Sequence, residues 1–225
     1  MRVVAFGCSF TCGHGLPDLW DYKSSKYIDG VSTKSWPAQV AKLLNVEIVN
    51  CAWAGSSNKE ILYKILNFEF EPNDIVLINW TVVQRSAIIR ENSILQLSVH
   101  NKKVNMTSNI WNEYIAENVD LTFESHTAYM LAHLFLDRLN IYHRHLFLEH
   151  IDEFNEFAKN DTTIPVRLDW KNCSVGVDGS HPDYATYTEY ANKIHAWIKH
   201  DINNNNIRTP VVIKLPSNAG QHNEE

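Results

Sequence analysis

Three short segments of this sequence hold residue types that could cooperate in chemistry. Residues 6–15, F-G-C-S-F-T-C-G-H-G, follow a β-branched run and set Ser9 and Thr11 among Gly7, Gly13 and Gly15. Residues 178–182, D-G-S-H-P, put Asp178 and His181 three positions apart, just ahead of a helical pattern. A serine that attacks an acyl group needs a base to take its proton, and the base needs a partner that fixes its tautomer. Asp178 could accept from one imidazole nitrogen of His181 and leave the other facing Ser9, with Pro182 stiffening the entry to the helix. Residues 50–58, N-C-A-W-A-G-S-S-N, add Gly55, whose backbone N–H can approach a developing oxyanion closely. Each segment has a plainer reading when taken alone. The first is a glycine-rich turn with a capping serine, the second a surface turn with an Asx cap, the third a strand-to-helix turn capped by Ser56 or Ser57. The glycines of the first segment lack the G-x-G-x-x-G spacing of a dinucleotide site, and no P-loop lysine follows them.

A frame must hold these segments. Residues 2–6 read as a buried strand that ends at Gly7, and residues 35–44 as a helix with Trp36, Val40, Leu43 and Leu44 on one face. Residues 46–50 read as a second strand. Ser57 with Glu60 three positions on has the capping-box pattern, and Ile61, Leu62, Ile65 and Leu66 form the apolar face of the helix it opens. Residues 75–78, I-V-L-I, have the continuous apolar character of a central parallel strand. Alternating strands and helices with short connections predict a parallel sheet wrapped by helices. The first and third segments then fall at carboxyl ends of strands, where such folds bind ligands. Periodicity weakens over residues 84–121, which read as a partly helical insertion. Beyond it come a helix over 125–139, a fourth strand over 141–148, a short helix over 151–158 and a last helix over 184–200. One domain over residues 1–200 is expected, followed by a polar tail over 201–225.

Composition narrows the function. In 225 residues, 44% hydrophobic and 20% charged residues are enough for a sizeable core. A net charge of −6 leaves no broad basic face for nucleic acid. No apolar run approaches the roughly 20 residues that span a bilayer, so no membrane partner is expected. The first residues read as a strand and not as a signal peptide, which points to a cytoplasmic protein. Four cysteines are too few for a disulfide framework, and no second pair completes a zinc set with Cys8 and Cys12.

Taken in order, the three segments resemble the SGNH (GDSL-type) hydrolase superfamily. The first block of that family reads G-D-S-x-T-x-G, and Gly7, Ser9, Thr11 and Gly13 match it, with Cys8 in place of the aspartate. The second block has Asn followed five residues later by Gly, matched by Asn50 and Gly55. The last block, D-x-x-H-P before a closing helix, is matched by Asp178, His181 and Pro182. The resemblance implies a three-layer α/β/α sandwich with a central, mostly parallel sheet of flavodoxin-like character. It also implies serine esterase or acylhydrolase chemistry on a small or carbohydrate ester, such as an O-acetyl group, with no metal or organic cofactor. Carried over by position, Ser9 is the nucleophile, His181 the general base and acid, and Asp178 its orienter. The backbone N–H groups of Ser9 and Gly55 become oxyanion donors. The family's G-x-N-D block after the third strand is missing: alignment puts Val83 where its asparagine should be. Gln84, closest in register, and Asn79 or Thr81 are candidates for the third donor.

His14 follows the nucleophile segment and is expected to line the pocket, with Trp53 and Trp80 beside the site as possible walls for a sugar ring or an acyl group. The remaining tryptophans, Trp20, Trp36, Trp111, Trp170 and Trp197, read as core. His143, His145 and His150 share a strand region but have no placed carboxylate, so metal ligation is not expected. Arg85 suits either an anionic substrate or a structural pair. Three functions remain distinct: an SGNH-type esterase, a binding module on the same scaffold with weak or no turnover (or an acyltransferase), and a nucleotide-binding flavodoxin-like domain using the glycine loop.

Overall fold

The computed structural model describes residues 1–91, 93–98, 120–148, 164 and 172–204. Four strands form one sheet in the order β4-β1-β5-β8: β1 (Arg2–Phe6), β4 (Glu47–Asn50), β5 (Ile75–Trp80) and β8 (Tyr142–Phe147). All three pairings are parallel, with Val4 opposite both Val49 and Val76, and Ile78 opposite His145. Parallel strands need crossover helices, and these cover both faces. Val3, Ile75 and Leu77 pack against α2 (Trp36–Leu44) and α5 (Tyr184–Asn203) through Trp36, Val40, Tyr187, Tyr190 and Ile194. Val4, Phe6, Val76 and Ile78 pack against α3 (Asn58–Leu66) and α4 (Leu121–Arg138) through Ile61, Ile65, Tyr129, Ala132 and Leu136. Neighbouring residues of one strand thus feed opposite cores, as a period of two requires. This is the three-layer α/β/α architecture expected from the sequence.

The helices begin where their caps permit. Ser57 accepts from Glu60 N–H at 3.2 Å, Asp120 from Phe123 N–H at 2.9 Å, and Asp183 from Thr186 N–H at 2.8 Å. The reciprocal half of the capping box is absent, because the Glu60 carboxylate is bonded to Lys64 and Gln96 instead. Beyond β8, Ile164 N–H donates to His145 O at 3.0 Å.

Two small hairpins depart from the sequence reading. Within the 84–121 segment, where a partly helical insertion was expected, β6 (Arg85–Arg90) and β7 (Ser93–Ser98) form an antiparallel pair. Ile88, Ile89, Ile94 and Leu95 are β-branched or apolar residues on either side of a tight turn, which favours a hairpin over a helix. The second hairpin, β2 (Trp20–Asp21) and β3 (Lys26–Tyr27), lies between β1 and α2, in a stretch with no sequence pattern. Residues 99–119, the expected helix over 151–158, Trp111, Trp170, His150 and the tail from 205 onward lie outside the described residues. Among the described residues, no helix is long and apolar enough to cross a membrane.

Candidate active site

Strand β1 delivers the chain to Gly7, and a single helical turn, α1 (Ser9–Cys12), follows at once. Cys8 O accepts from Thr11 N–H (2.9 Å) and Cys12 N–H (3.0 Å), which closes the turn. The N–H of Ser9 precedes these bonds and so belongs to the donors a helix start leaves over. Cys8 is fully buried and makes no side-chain cap, so the loop is held by other groups. Asn50 Nδ2 donates to Thr11 O at 2.9 Å, and Asn79 Nδ2 to Thr11 Oγ1 at 3.3 Å. The place of the missing aspartate is thus filled by ties from the ends of β4 and β5.

Asn50 also accepts from Ala52 N–H at 3.1 Å, which leads the chain into the Gly55 turn. Gly55 has φ +81°, a left-handed conformation that favours glycine. A Cβ there would meet Gln96 Oε1 at 2.6 Å. Gln96, on β7, donates through Nε2 to Ala54 O (3.1 Å) and Glu60 Oε2 (3.0 Å). The β6–β7 hairpin therefore fastens the turn that carries Gly55. No motif marked Gln96, because its role depends on a pairing made only in the folded chain.

The D-G-S-H-P loop lies directly on the nucleophile loop. Gly176 N–H donates to His181 O (2.7 Å), and Val177 N–H donates to Gly15 O (2.9 Å). A Cβ on Gly176 would sit 1.9 Å from Gly15 O, so only glycine lets the two backbones meet. This contact sets His181 beside Ser9: Nε2 is 3.0 Å from Ser9 Oγ. On the other side of the ring, Nδ1 lies 2.6 Å from Asp178 Oδ2. A carboxylate only accepts, so the imidazole proton is on Nδ1 and the Nε2 lone pair faces the serine hydroxyl. Asp178 Oδ1 accepts from Ser180 N–H (3.1 Å) and His181 N–H (3.0 Å), and Oδ2 accepts from Ser180 Oγ (2.9 Å) and from Tyr27 OH. Partial burial works against its charge. The backbone bonds from His181 and Ser180, with the His181 imidazole, outweigh that and hold the carboxyl below its ordinary range. Ser9 is 5% exposed. The Phe10 ring packs 4.9 Å from that of His181, and His14 meets it edge-on at 5.4 Å. Burial, and then the His181 charge, push His14 down to about 4, so it is neutral near pH 7.

The structure thus brings together Ser9, His181, Asp178 and His14, with Gly55 on the adjoining turn. The candidates for a third oxyanion donor separate. Asn79 is buried beneath the loop on Thr11, Thr81 Oγ1 accepts from Arg85 at 2.9 Å, and Gln84 is exposed. Trp53 is 55% exposed and lines a cavity of about 560 Å3 with Phe6, Asn50, Tyr63 and Phe68. Trp80 is not among the residues lining that cavity. It is fully packed against α4, because its position on β5 points to that face, and its indole N–H donates to His145 Nδ1 at 3.0 Å. Residues missed from the sequence are Tyr27, Ser180 and Gln96. Ser180 was visible inside D-G-S-H-P, whereas Tyr27 is 151 positions from Asp178.

A second histidine group forms under α4. His143 and His145 are joined by His133 of α4, with one ring nitrogen of each within 4.8 Å of the others. His150, the third member anticipated from the sequence, lies outside the described residues. Metal ligation needs a lone pair on each ring. The Trp80 N–H takes the His145 Nδ1 lone pair and leaves that ring's proton on Nε2, buried against Tyr129 (4.7 Å, 69°). His143 donates Nδ1–H to Ile141 O at 3.0 Å, and its Nε2 faces His133 Nδ1 at 3.0 Å. The tautomers suit hydrogen bonding within a core.

No protein-family model matches the sequence, and no curated protein matches it. Solved structures do. A family two carbohydrate esterase from Clostridium thermocellum in complex with cellohexaose superposes with a TM-score of 0.53 at 15% identity, covering 90% of this chain and 64% of its own. The acetyl xylan esterase Est2A from the rumen bacterium Butyrivibrio proteoclasticus gives 0.54 at 10% identity, again covering 90% of this chain and 64% of its own. The psychrotrophic esterase EstA from Pseudoalteromonas sp., in a structure inhibited by monoethylphosphonate, gives 0.53 at 11% identity and is matched over 98% of its length. The chain spans just under two thirds of the two carbohydrate esterases and nearly all of EstA. At these identities the likeness is one of architecture, and it agrees with the block pattern of the sequence: this chain has an SGNH hydrolase-like α/β fold.

Proposed function

We propose that the chain is a serine ester hydrolase working through an acyl-enzyme on Ser9. One observation carries the reading: a continuous hydrogen-bonded line from Ser9 Oγ through His181 (3.0 Å) to Asp178 (2.6 Å). Ser9 Oγ attacks the ester carbonyl carbon while His181 Nε2 takes its proton, and Asp178 stabilises the imidazolium. The carbonyl oxygen gains negative charge against the N–H groups of Ser9 and Gly55. Collapse of this intermediate breaks the C–O bond, and His181 returns the proton to the departing alcohol. Water, deprotonated by the same nitrogen, then releases the acid and restores Ser9.

The substrate we favour is a small ester, an O-acetyl or short acyl group on a carbohydrate. It is supported by the carbohydrate esterases among the structural neighbours and by exposed Trp53, whose ring offers a sugar a stacking face beside the Gly55 turn. No metal or cofactor enters these steps. The oxyanion hole rests on backbone donors, and lacking a third donor costs roughly 10²–10³ in rate in comparable serine hydrolases. A slow enzyme, or a binding module on the same scaffold, is therefore the second reading.

The test is hydrolysis of a short-chain aryl ester, with fluorophosphonate labelling. Wild-type protein is expected to turn over and to carry the label on Ser9, and Ser9→Ala to do neither. Hydrolysis retained by Ser9→Ala would sink the nucleophile assignment. An unlabelled Ser9 in folded wild-type protein would favour the binding module.

A further inference from the structure

We infer that Tyr27 is a positioning residue for this site: its phenol O–H braces the carboxylate of Asp178 and so sets the charge that His181 feels. The inference rests on the esterase reading above. Asp178 Oδ2 is the oxygen that receives His181 Nδ1–H, and the Tyr27 hydroxyl donates to that same oxygen while lying 3.3 Å from Nδ1. Among the described residues, every other donor to Asp178 comes from its own loop, at positions 180 and 181. Of the described donors, Tyr27 alone arrives from a distant part of the chain.

The hairpin that brings it is built to hold a ring in place. Trp20 and Tyr27 are cross-strand partners, with their rings edge-on at 5.2 Å. The Asp21 side chain closes the turn by accepting from Lys23 N–H (2.9 Å) and Ser24 Oγ (2.6 Å), and Ile28 N–H bonds Leu19 O (3.0 Å) at its base. On its other face, Tyr27 stacks on His14 at 3.8 Å and 19°. His14 is itself tied to α5, since its carbonyl accepts from Tyr187 OH at 3.1 Å. The phenol is thus clamped between a tryptophan and a histidine with its hydroxyl aimed at one carboxylate oxygen. Its ring also meets that of His181 edge-on at 6.3 Å, and the hydroxyl is the group that reaches the carboxylate.

The chemistry follows from where charge sits. When His181 takes the Ser9 proton, Asp178 must remain ionised and must not rotate away. A donor on Oδ2 opposes both protonation and rotation. It also shares the carboxylate's charge, so the imidazolium is held less tightly than by a bare carboxylate. Among the described residues, the titratable groups that face His181 are Asp178 on its own loop, Tyr27 from the hairpin and His14 from the nucleophile loop. His14 is neutral through the working range, which leaves Tyr27 to adjust the pair.

Tyr27→Phe removes only the hydroxyl and keeps the ring contacts to Trp20, His14 and His181. It is expected to lower kcat by roughly 3–10-fold with KM nearly unchanged. The acid-side midpoint of the kcat profile should move up by about half a pH unit, because the full carboxylate charge then acts on the imidazolium. The His181 ring is followed in parallel by NMR titration, which needs no turnover, and thermal unfolding verifies that the variant is folded. A shift of the His181 midpoint in Tyr27→Phe supports the inference even if the wild-type protein hydrolyses nothing, in which case the esterase reading alone fails. An unshifted midpoint in a wild-type background that does hydrolyse esters overturns the role of Tyr27 and leaves the esterase reading standing.

Discussion

At the carboxyl ends of β1 and β4, His181 keeps one nitrogen on Asp178 and turns the other to Ser9, with His14 beside it. Under α4, His133, His143 and His145 bring three imidazoles as near to one another, yet their nitrogens are directed at Ile141 O, at Trp80, at the Asp137 carboxylate (3.5 Å from His133 Nε2) and at each other. Both groups combine a loop or strand with a helix, and both push imidazoles toward the neutral form by burial. The difference lies in what faces the last lone pair. At the first site it is a hydroxyl that can be deprotonated; at the second, His143 Nε2 faces the ring of His133. Closeness of histidines therefore says little about function until tautomers are assigned, and these are set by neighbours such as Asp178 and Trp80.

That contrast can be tested from both sides. Asp178→Asn should have the largest effect: an amide can donate to His181 Nδ1 and impose the wrong tautomer, so ester hydrolysis should fall by roughly 10³–10⁴-fold. Thermal unfolding of that variant, measured alongside, should change far less than its rate. Acidification should act chiefly on the buried group. His143 is lowered by burial from 6.5 to about 4, so the unfolded chain binds its proton first as pH falls. Its contribution is fully present above pH 6.5 and is lost on the way down to about 4, roughly 3 kcal/mol over that window. Denaturant unfolding between pH 7 and 4 checks this, and a His143→Leu variant should show a shallower slope. Trp80→Phe should cost about 1–3 kcal/mol by leaving His145 Nδ1 without its donor, while hydrolysis stays near wild type; a large loss of activity would contradict the separation of the two groups. His14→Phe keeps a ring against Tyr27 and should leave hydrolysis within about twofold, since His14 carries no proton in the mechanism.

The layers of the fold were legible because their signals are local. The I-V-L-I run of β5, the spacing of Trp36 and Val40 on α2, and the Ser57 cap with Glu60 each depend on residues a few positions apart. The β6–β7 hairpin was hidden within a segment expected to be a partly helical insertion, because neither a period of two nor one of 3.6 stands out in it. The β2–β3 hairpin was invisible, since two residues per strand carry no period. Trp80 was taken for a pocket wall on its sequence position near the site, although the pleat of β5 turns it toward α4.

The order of short blocks along the chain determined which groups could react: a serine after a glycine, a glycine turn after Asn50, and Asp178 with His181 before the closing helix. Those are choices of residue type at fixed local spacing, and a sequence records them directly. Tertiary structure decided which groups meet. It laid Gly176 on Gly15 so that His181 reaches Ser9, brought Gln96 to the Gly55 turn, and set Tyr27 on Asp178 across 151 positions. Such contacts join residues far apart in the chain, and they come into being only when the sheet and its helices bury their apolar faces together.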